Sequence, residues 1–212
     1  MISGILKYLQ VLYHVWFSHP MYQIRKGYIH RKKVAFFDDT NNTDEWQKEV
    51  YAEAAKYMIQ NHFNTLLDIG CGSGYKLLKY FKEYDFTGVE IEPTLSNLKS
   101  TYPENKWTTL ESANGKSYDL IICSDVIEHV SHPGIFLENI IKNIDFKTII
   151  ISTPDRHIVR GVNDYGPPKN ISHYREWNQK EFHAFISDYL LVRKHYISNP
   201  DQGTQVIYAR KK

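Results

Sequence analysis

Five short runs rich in apolar residues most constrain how this chain can fold. They are Thr65–Ile69, Phe86–Glu90, Lys106–Leu110 (the weakest), Tyr118–Cys123 (YDLIIC) and Lys147–Ser152 (KTIIIS). A strand that is apolar on both sides must be covered on both faces, and segments of helical character lie between the runs. Helices are predicted over about 44–62 with Thr43 as cap, 75–83, 93–101 opened by Pro93, and 133–143 opened by Pro133. Strand–helix alternation of this kind builds a parallel sheet between two helical layers. Asn178-Gln179-Lys180-Glu181 reads as a capping-box start for a helix to about Tyr189. Runs over 190–197 and 204–210 flank the turn Asn199-Pro200-Asp201-Gln202-Gly203, which makes them an antiparallel pair. The expected fold is α/β: a doubly wound, mostly parallel seven-stranded sheet with an antiparallel last strand, plus an N-terminal helical extension.

At 212 residues the chain suits one such domain, over 41–212, preceded by an extension over 1–40. Residues 1–37 hold six of the 26 Lys and Arg and no acid, so the remainder is slightly acidic; the formal total of +2 demands no polyanionic partner. Ile2, Ile5, Leu6, Leu9, Leu12 and Trp16 recur at helical spacing. That segment is read as an amphipathic helix packed on the domain or capping its pocket, with peripheral membrane contact as the alternative. It is interrupted by Lys7, Gln10 and His14, too short and polar for a membrane span and unlike a signal peptide. Two cysteines, Cys71 and Cys123, give neither a disulfide framework nor a metal-ligand spacing, and a cytoplasmic location is expected.

LLDIGCGSG, Leu66–Gly74, ends a strand and opens a helix. Gly70, Gly72 and Gly74 let a ligand approach the backbone closely. Glu90, 20 residues after Gly70, ends the next strand, where its carboxylate can accept both hydroxyls of a ribose. Position 75 is Tyr, so the dinucleotide fingerprint is broken. Asp68 at the loop's entry would repel a pyrophosphate but suits an ammonium group. A nucleoside with a zwitterionic amino-acid tail, such as S-adenosylmethionine, meets that description.

LLDIGCGSG, GVEIEP, YDLIICSDVIEHV and the closing antiparallel strands, in that order over about 44–210, resemble class I S-adenosylmethionine-dependent methyltransferases. The resemblance implies that Asp68, Gly70 and Gly72 line the methionine part of the cofactor, with Cys71 and Gly74 in the same loop. Glu90 would hold the ribose and Ile91 would flank the adenine. Glu111, beside Ser112, is the candidate acidic adenine contact, and Ser124 and Asp125 complete the expected set.

Ser124–Val130 (SDVIEHV) follows the fourth strand, beside the methyl group to be transferred. Read as a helical turn, it sends Asp125, Glu128 and His129 to one side. Three roles stay open: a pocket wall with His129 assisting, which is favoured; a metal-free base at His129; or a site for Mg²⁺ or Mn²⁺ held by Asp125, Glu128, His129 and His173. The last follows a resemblance of STPD, NISHYREW and QKEF to small-RNA 3′-terminal 2′-O-methyltransferases. GPPKNISHYREW is more similar to bacterial methyltransferases found with sugar and surface-polysaccharide genes, and E-x-x-E-H also occurs in ubiquinone-type enzymes. The long segment 153–177 is expected to be a functional loop. Within it, Arg156 and Arg160 are candidates to hold an anionic acceptor, as is Arg175, and Tyr165 and Trp177 are candidates for packing or a lid. The reading is therefore methyl transfer to a small-molecule oxygen or nitrogen, with His129 and His173 handling the acceptor. RNA terminal 2′-O-methylation, or a scaffold without turnover, are the alternatives.

Overall fold

The computed structural model describes residues 20–212, so the helix expected over 2–17 lies outside the described residues. The elements run α1 (Lys48–Asn61), β1 (Thr65–Ile69), α2 (Tyr75–Phe81), β2 (Asp85–Val89), α3 (Thr94–Thr101), β3 (Lys106–Thr108), β4 (Ser117–Ser124), α4 (Pro133–Asn143), β5 (Asp145–Pro154), α5 (Arg156–Arg160), α6 (Gln179–Tyr189), β6 (Leu191–Asn199) and β7 (Thr204–Arg210). The seven strands form one sheet in the order β3-β2-β1-β4-β5-β7-β6. The pairs from β3 to β5 are parallel, while β7 lies antiparallel between β5 and β6. This is the expected architecture.

The period of two along the strands divides the core into two layers. Leu66, Leu120, Ile122, Ile150 and Val206 face one cluster, which α1, α2 and α3 cover with Tyr51, Met58, Leu77, Phe81 and Leu98. Leu67, Ile69, Ile121, Ile149, Ile151 and Ile207 face the other, covered by α4 and α6 with Leu137, Ile140, Phe182, Phe185 and Ile186. The direction of strand succession reverses between β1 and β4, which opens a crevice at their carboxyl ends.

Two local expectations are corrected. Helix α1 begins at Lys48, not 44, and Thr43 does not cap it: Gln47 occupies the cap position with φ 61, a left-handed conformation that a helix cannot run through. The segment after β5 is not irregular throughout. Asp155 accepts the backbone N–H groups of His157 and Ile158 and so starts the short helix α5. Asn178 and Glu181 form the capping box read from the sequence.

The insert and the described N-terminal residues are locked to one another. Backbone N–H groups of Ile29, Arg31 and Ala35 donate to the carbonyls of Tyr165, Tyr174 and Ile171. Ile24 and Tyr28 are buried in the core layer shared with α6. Arg156, fully buried, donates to the Glu176 carbonyl and to Glu181, both at 2.9 Å, and lies 4.8 Å from the centre of the Tyr28 ring. Glu181 also accepts the Arg25 backbone N–H. Removing one partner of such a pair strands the other charge in the interior. Arg156→Met should therefore lower the free energy of unfolding by about 3–5 kcal/mol in a urea titration; a loss below about 1 kcal/mol would contradict this role.

Candidate functional site

Strand β1 ends at Ile69, and the chain then turns so that the N–H groups of Gly70 and Cys71 both point at the Val89 carbonyl at the end of β2. The turn needs positive φ at Gly70 (76°) and Gly74 (74°). A Cβ on Gly70 would collide with Val126, and one on Gly74 would sit 2.8 Å from the Trp107 ring. The glycines therefore serve close packing as well as ligand approach.

Asp68 is fully buried where β1 meets this loop. Tyr51 of α1, also buried, donates its hydroxyl to Oδ2 at 3.0 Å, while Oδ1 meets no donor. Burial pushes the Asp68 carboxyl up to about 7; the Tyr51 hydrogen bond and the Lys76 charge act against that rise, and the Glu90 charge adds to it. Glu90 accepts the Gly72 N–H at 2.8 Å and the Ile91 N–H at 2.9 Å, and burial raises its pKa as well. Cys71 is buried and its thiol is pushed well up by burial, so it packs rather than reacts. Ile91 is largely exposed beyond β2, and Glu111 is exposed on the short turn after β3. Both stand at the edge of the crevice.

SDVIEHV does not form the expected helical turn from its first acid. Asp125 has φ 52, and only Ile127–His129 make a single 3₁₀ turn. Asp125 is consequently engaged by other elements and stands outside the group that Glu128 and His129 form with His173. Ser152 donates to its Oδ1 at 2.6 Å, Gln47 donates to its Oδ2 at 2.8 Å, and the Ser124 and Ser152 hydroxyls lie 2.8 Å apart. The structure instead brings Glu128, His129 and His173 together, with one ligand-type atom from each within 4.8 Å of the others. Glu128 is fully buried and neither carboxylate oxygen meets a donor in hydrogen-bonding geometry, although the Thr153 hydroxyl lies beside it. Burial, and then the charge of Asp125, push its pKa well up.

His129 Nδ1 faces the Ser172 carbonyl at 3.0 Å, which assigns the hydrogen to Nδ1 and leaves Nε2 with its lone pair. Burial, and then the neighbouring His173, lower its pKa to about 4, so the ring is neutral at physiological pH. His173 lies edge-on to it, with ring centres 4.6 Å apart. Both nitrogens of His173 are occupied: Nδ1 meets Glu176 Oε1 at 2.8 Å and Nε2 meets the Asn170 amide at 3.0 Å. Among the described residues the cluster leaves a divalent ion the oxygens of Glu128 and one free imidazole nitrogen, His129 Nε2, a set poorer in oxygen ligands than Mg²⁺ or Mn²⁺ takes. Asp125, the fourth expected ligand, is engaged elsewhere.

The arginines of the insert are structural rather than anion-binding. Arg156 is paired with Glu181, Arg160 with Asp164 at 3.0 Å, and Arg175 donates to the carbonyls of Val130 and Ser131. Trp177 is fully buried, stacked on Phe185, and donates its indole N–H to the Tyr22 carbonyl. Tyr165 carries the Arg25 guanidinium on its ring, 4.1 Å from the centre. Sequence reasoning missed Tyr51, Gln47 and Ser152, which orient the two acids. No short motif marks them, because each acts from a different element.

A family model described as a methyltransferase domain matches residues 32–199, and the chain belongs to that family. A ubiquinone biosynthesis O-methyltransferase of Rickettsia bellii is 34% identical over 115 residues, covering 46% of this chain and 47% of that protein. The chain thus spans about half the length of the curated relatives it matches. The fold is shared with the methyltransferase domain of bacterial CtHen1-C (TM-score 0.61, 20% identity, 78% of this chain and 98% of that one). It is shared equally with the N-methyltransferase NodS from Bradyrhizobium japonicum in complex with S-adenosyl-L-homocysteine (TM-score 0.60, 13% identity, 82% and 94%).

Tyr51→Phe strips Asp68 of its one hydroxyl donor. The expected result is a loss of about 1–3 kcal/mol in unfolding free energy, the cost of leaving a buried acceptor unpartnered. A variant as stable as the parent would show that the Tyr51–Asp68 bond does not hold the site.

Proposed function

We propose that this chain transfers a methyl group from S-adenosylmethionine to an oxygen of a small-molecule acceptor. The observation that carries the reading is Asp68: a fully buried carboxyl, fixed by Tyr51 through one oxygen and unpartnered at the other, beside a glycine loop. Such a group is stabilised by a cation placed against it. Glu90, at the end of the adjacent strand, supplies a carboxylate for ribose hydroxyls. When bound, the cofactor supplies an electrophilic methyl on sulfonium. The chain's own part is to hold the acceptor in line with that methyl and exclude water; orientation provides most of the acceleration.

In this reading His129 Nε2 accepts the acceptor's proton, and the Ser172 carbonyl steadies the ring by holding its Nδ1–H. His173, fixed by Glu176 and Asn170, acts as a wall that positions His129 and the acceptor. The O-methyltransferase name of the Rickettsia relative supports a hydroxyl on a small metabolite, and a sugar hydroxyl belongs to the same class. Among the described residues no helix is long and apolar enough to cross a membrane. Location in the cytoplasm is part of the proposal. The RNA alternative rests on likeness of fold to the CtHen1-C domain.

The first experiment is transfer of labelled methyl into cell extract divided into RNA and small metabolites, with and without a chelator. Label in the small-metabolite fraction that survives chelation is expected. Chelator-sensitive label in RNA would replace the reading with metal-dependent RNA methylation. His129→Ala should lower turnover by about 10²–10⁴-fold with cofactor affinity unchanged.

Acidity supplies a further expectation. Asp68, with its pKa raised to about 7, is increasingly protonated as pH falls below that value, and a cationic ligand needs the carboxylate. Cofactor affinity should therefore be level above pH 7 and fall by up to about tenfold per unit below it. Calorimetric titrations should find this slope, and Asp68→Asn should flatten it.

A further inference from the structure

Residues 36–46 form a strap laid across the mouth of the crevice, and nothing above gives it a task. The Thr40 hydroxyl lies 2.8 Å from that of Thr94 at the start of α3, and the Asn97 amide donates to the Thr40 carbonyl. Ser73 of the glycine loop donates its hydroxyl to the Asn42 carbonyl. Tyr75 and Lys79 of α2 hold Glu45. At the acceptor end, the Phe37 ring is centred 5.8 Å from His129. The strap is thus anchored on the cofactor side and reaches the acceptor side.

Between those anchors, Asp39 lies directly over the glycine loop. A Cβ on Gly72 would collide with its Oδ2, so the carboxylate rests on the backbone that a ligand would approach. Its Oδ1 is buried and meets no donor in hydrogen-bonding geometry. Below it stands Asp68, fully buried with its own unpartnered Oδ1, and beside it Glu90, bonded to the Gly72 N–H. Three carboxyl groups therefore surround one glycine turn. Lys76, with its Nζ 3.9 Å from Asp44, supplies neighbouring positive charge. Burial raises the pKa of Asp39, Asp68 and Glu90 alike, and outweighs the hydrogen bonds that each accepts and the Lys76 charge that acts on the two aspartates.

We infer that Asp39 is a cofactor-binding residue: its carboxylate closes over the glycine loop and pairs with the ammonium of the cofactor's amino-acid tail, across from Asp68. The tail is a zwitterion, and Lys76 offers the matching cation for its carboxylate. The strap then carries one recognition group for the cofactor, Asp39, and one wall of the acceptor pocket, Phe37. This inference rests on the S-adenosylmethionine reading above.

The test compares the parent chain with Asp39→Asn, which keeps the size of the side chain, in calorimetric titrations with three probes. These are S-adenosylmethionine, S-adenosylhomocysteine and 5′-methylthioadenosine, the last having the nucleoside and no amino-acid tail. The expected result is a loss of about tenfold or more in affinity for the two tailed ligands, with 5′-methylthioadenosine bound as by the parent. Unchanged affinity for the tailed ligands overturns the inference while leaving the methyl-donor reading intact. Equal weakening for all three probes also overturns it, because the strap would then act only by packing. A parent chain that binds none of the three overturns the methyl-donor reading, and this inference with it.

Discussion

Buried negative charge that Lys76 only partly offsets is the constraint around which the crevice is organised. Asp68 cannot leave the core, because it is an interior residue of β1 paired on both sides by β2 and β4. Nor is it satisfied locally, since among the described residues its only hydroxyl donor is Tyr51. A carboxyl in that position either stays protonated or waits for a cation. Glu90 and Asp39 are raised in the same direction by the same cause. Each added carboxylate makes the next harder to ionise, so the crevice rewards a ligand that brings positive charge and disfavours an anionic one. A pyrophosphate would meet these groups head-on, and this excludes a dinucleotide more firmly than the missing glycine at position 75.

Precision at the acceptor side comes from the insert. Ser172 and His173 reach His129 because the segment around them is tied down at several points. Arg175 grips the carbonyls of Val130 and Ser131, just after His129, and the Tyr174 N–H donates to the Glu128 carbonyl. The Arg156–Glu181 pair fixes the other end against α6 and the N-terminal segment. The insert's three arginines are all engaged within the protein, so they describe how the loop is held. Loops that carry function need rigid support, and here the support is internal to the insert.

The sheet could be read from the sequence because its signals are local. Strands such as Ile149–Ile151 and Leu120–Cys123 are apolar on both faces, and Pro133 and the Asn178–Glu181 box mark helix starts by their own chemistry. The glycine loop and Glu90 were legible for the same reason, each being a short motif at a strand end. What the sequence did not reveal depends on contacts between distant elements. Asp125 stands four positions before His129, yet with its φ of 52° it meets Ser152 and Gln47, residues 27 and 78 positions away. The spacing of acids in SDVIEHV suggested one shared face only on the assumption of a helical turn. Asp39, in FFDDTNNTDE, looked like any polar run, because its burial depends on Gly72 and the fold of the strap.

SDVIEHV can now be weighed on its parts. Glu128 and Asp125 are both raised in pKa, so the pair cannot easily carry two charges, and Glu128 is the more buried. Burial, and then the neighbouring His173, keep His129 in its neutral form. A neutral imidazole whose Nδ1–H is spent on the Ser172 carbonyl has a single lone pair to offer, at Nε2. With a pKa of about 4 the ring is a weak base, so it suits a proton released as the methyl bond forms better than a proton taken beforehand. In the proposed reaction the stretch serves as a pocket wall whose reactive edge is His129, while Asp125 ties the end of β4 to β5 through Ser152.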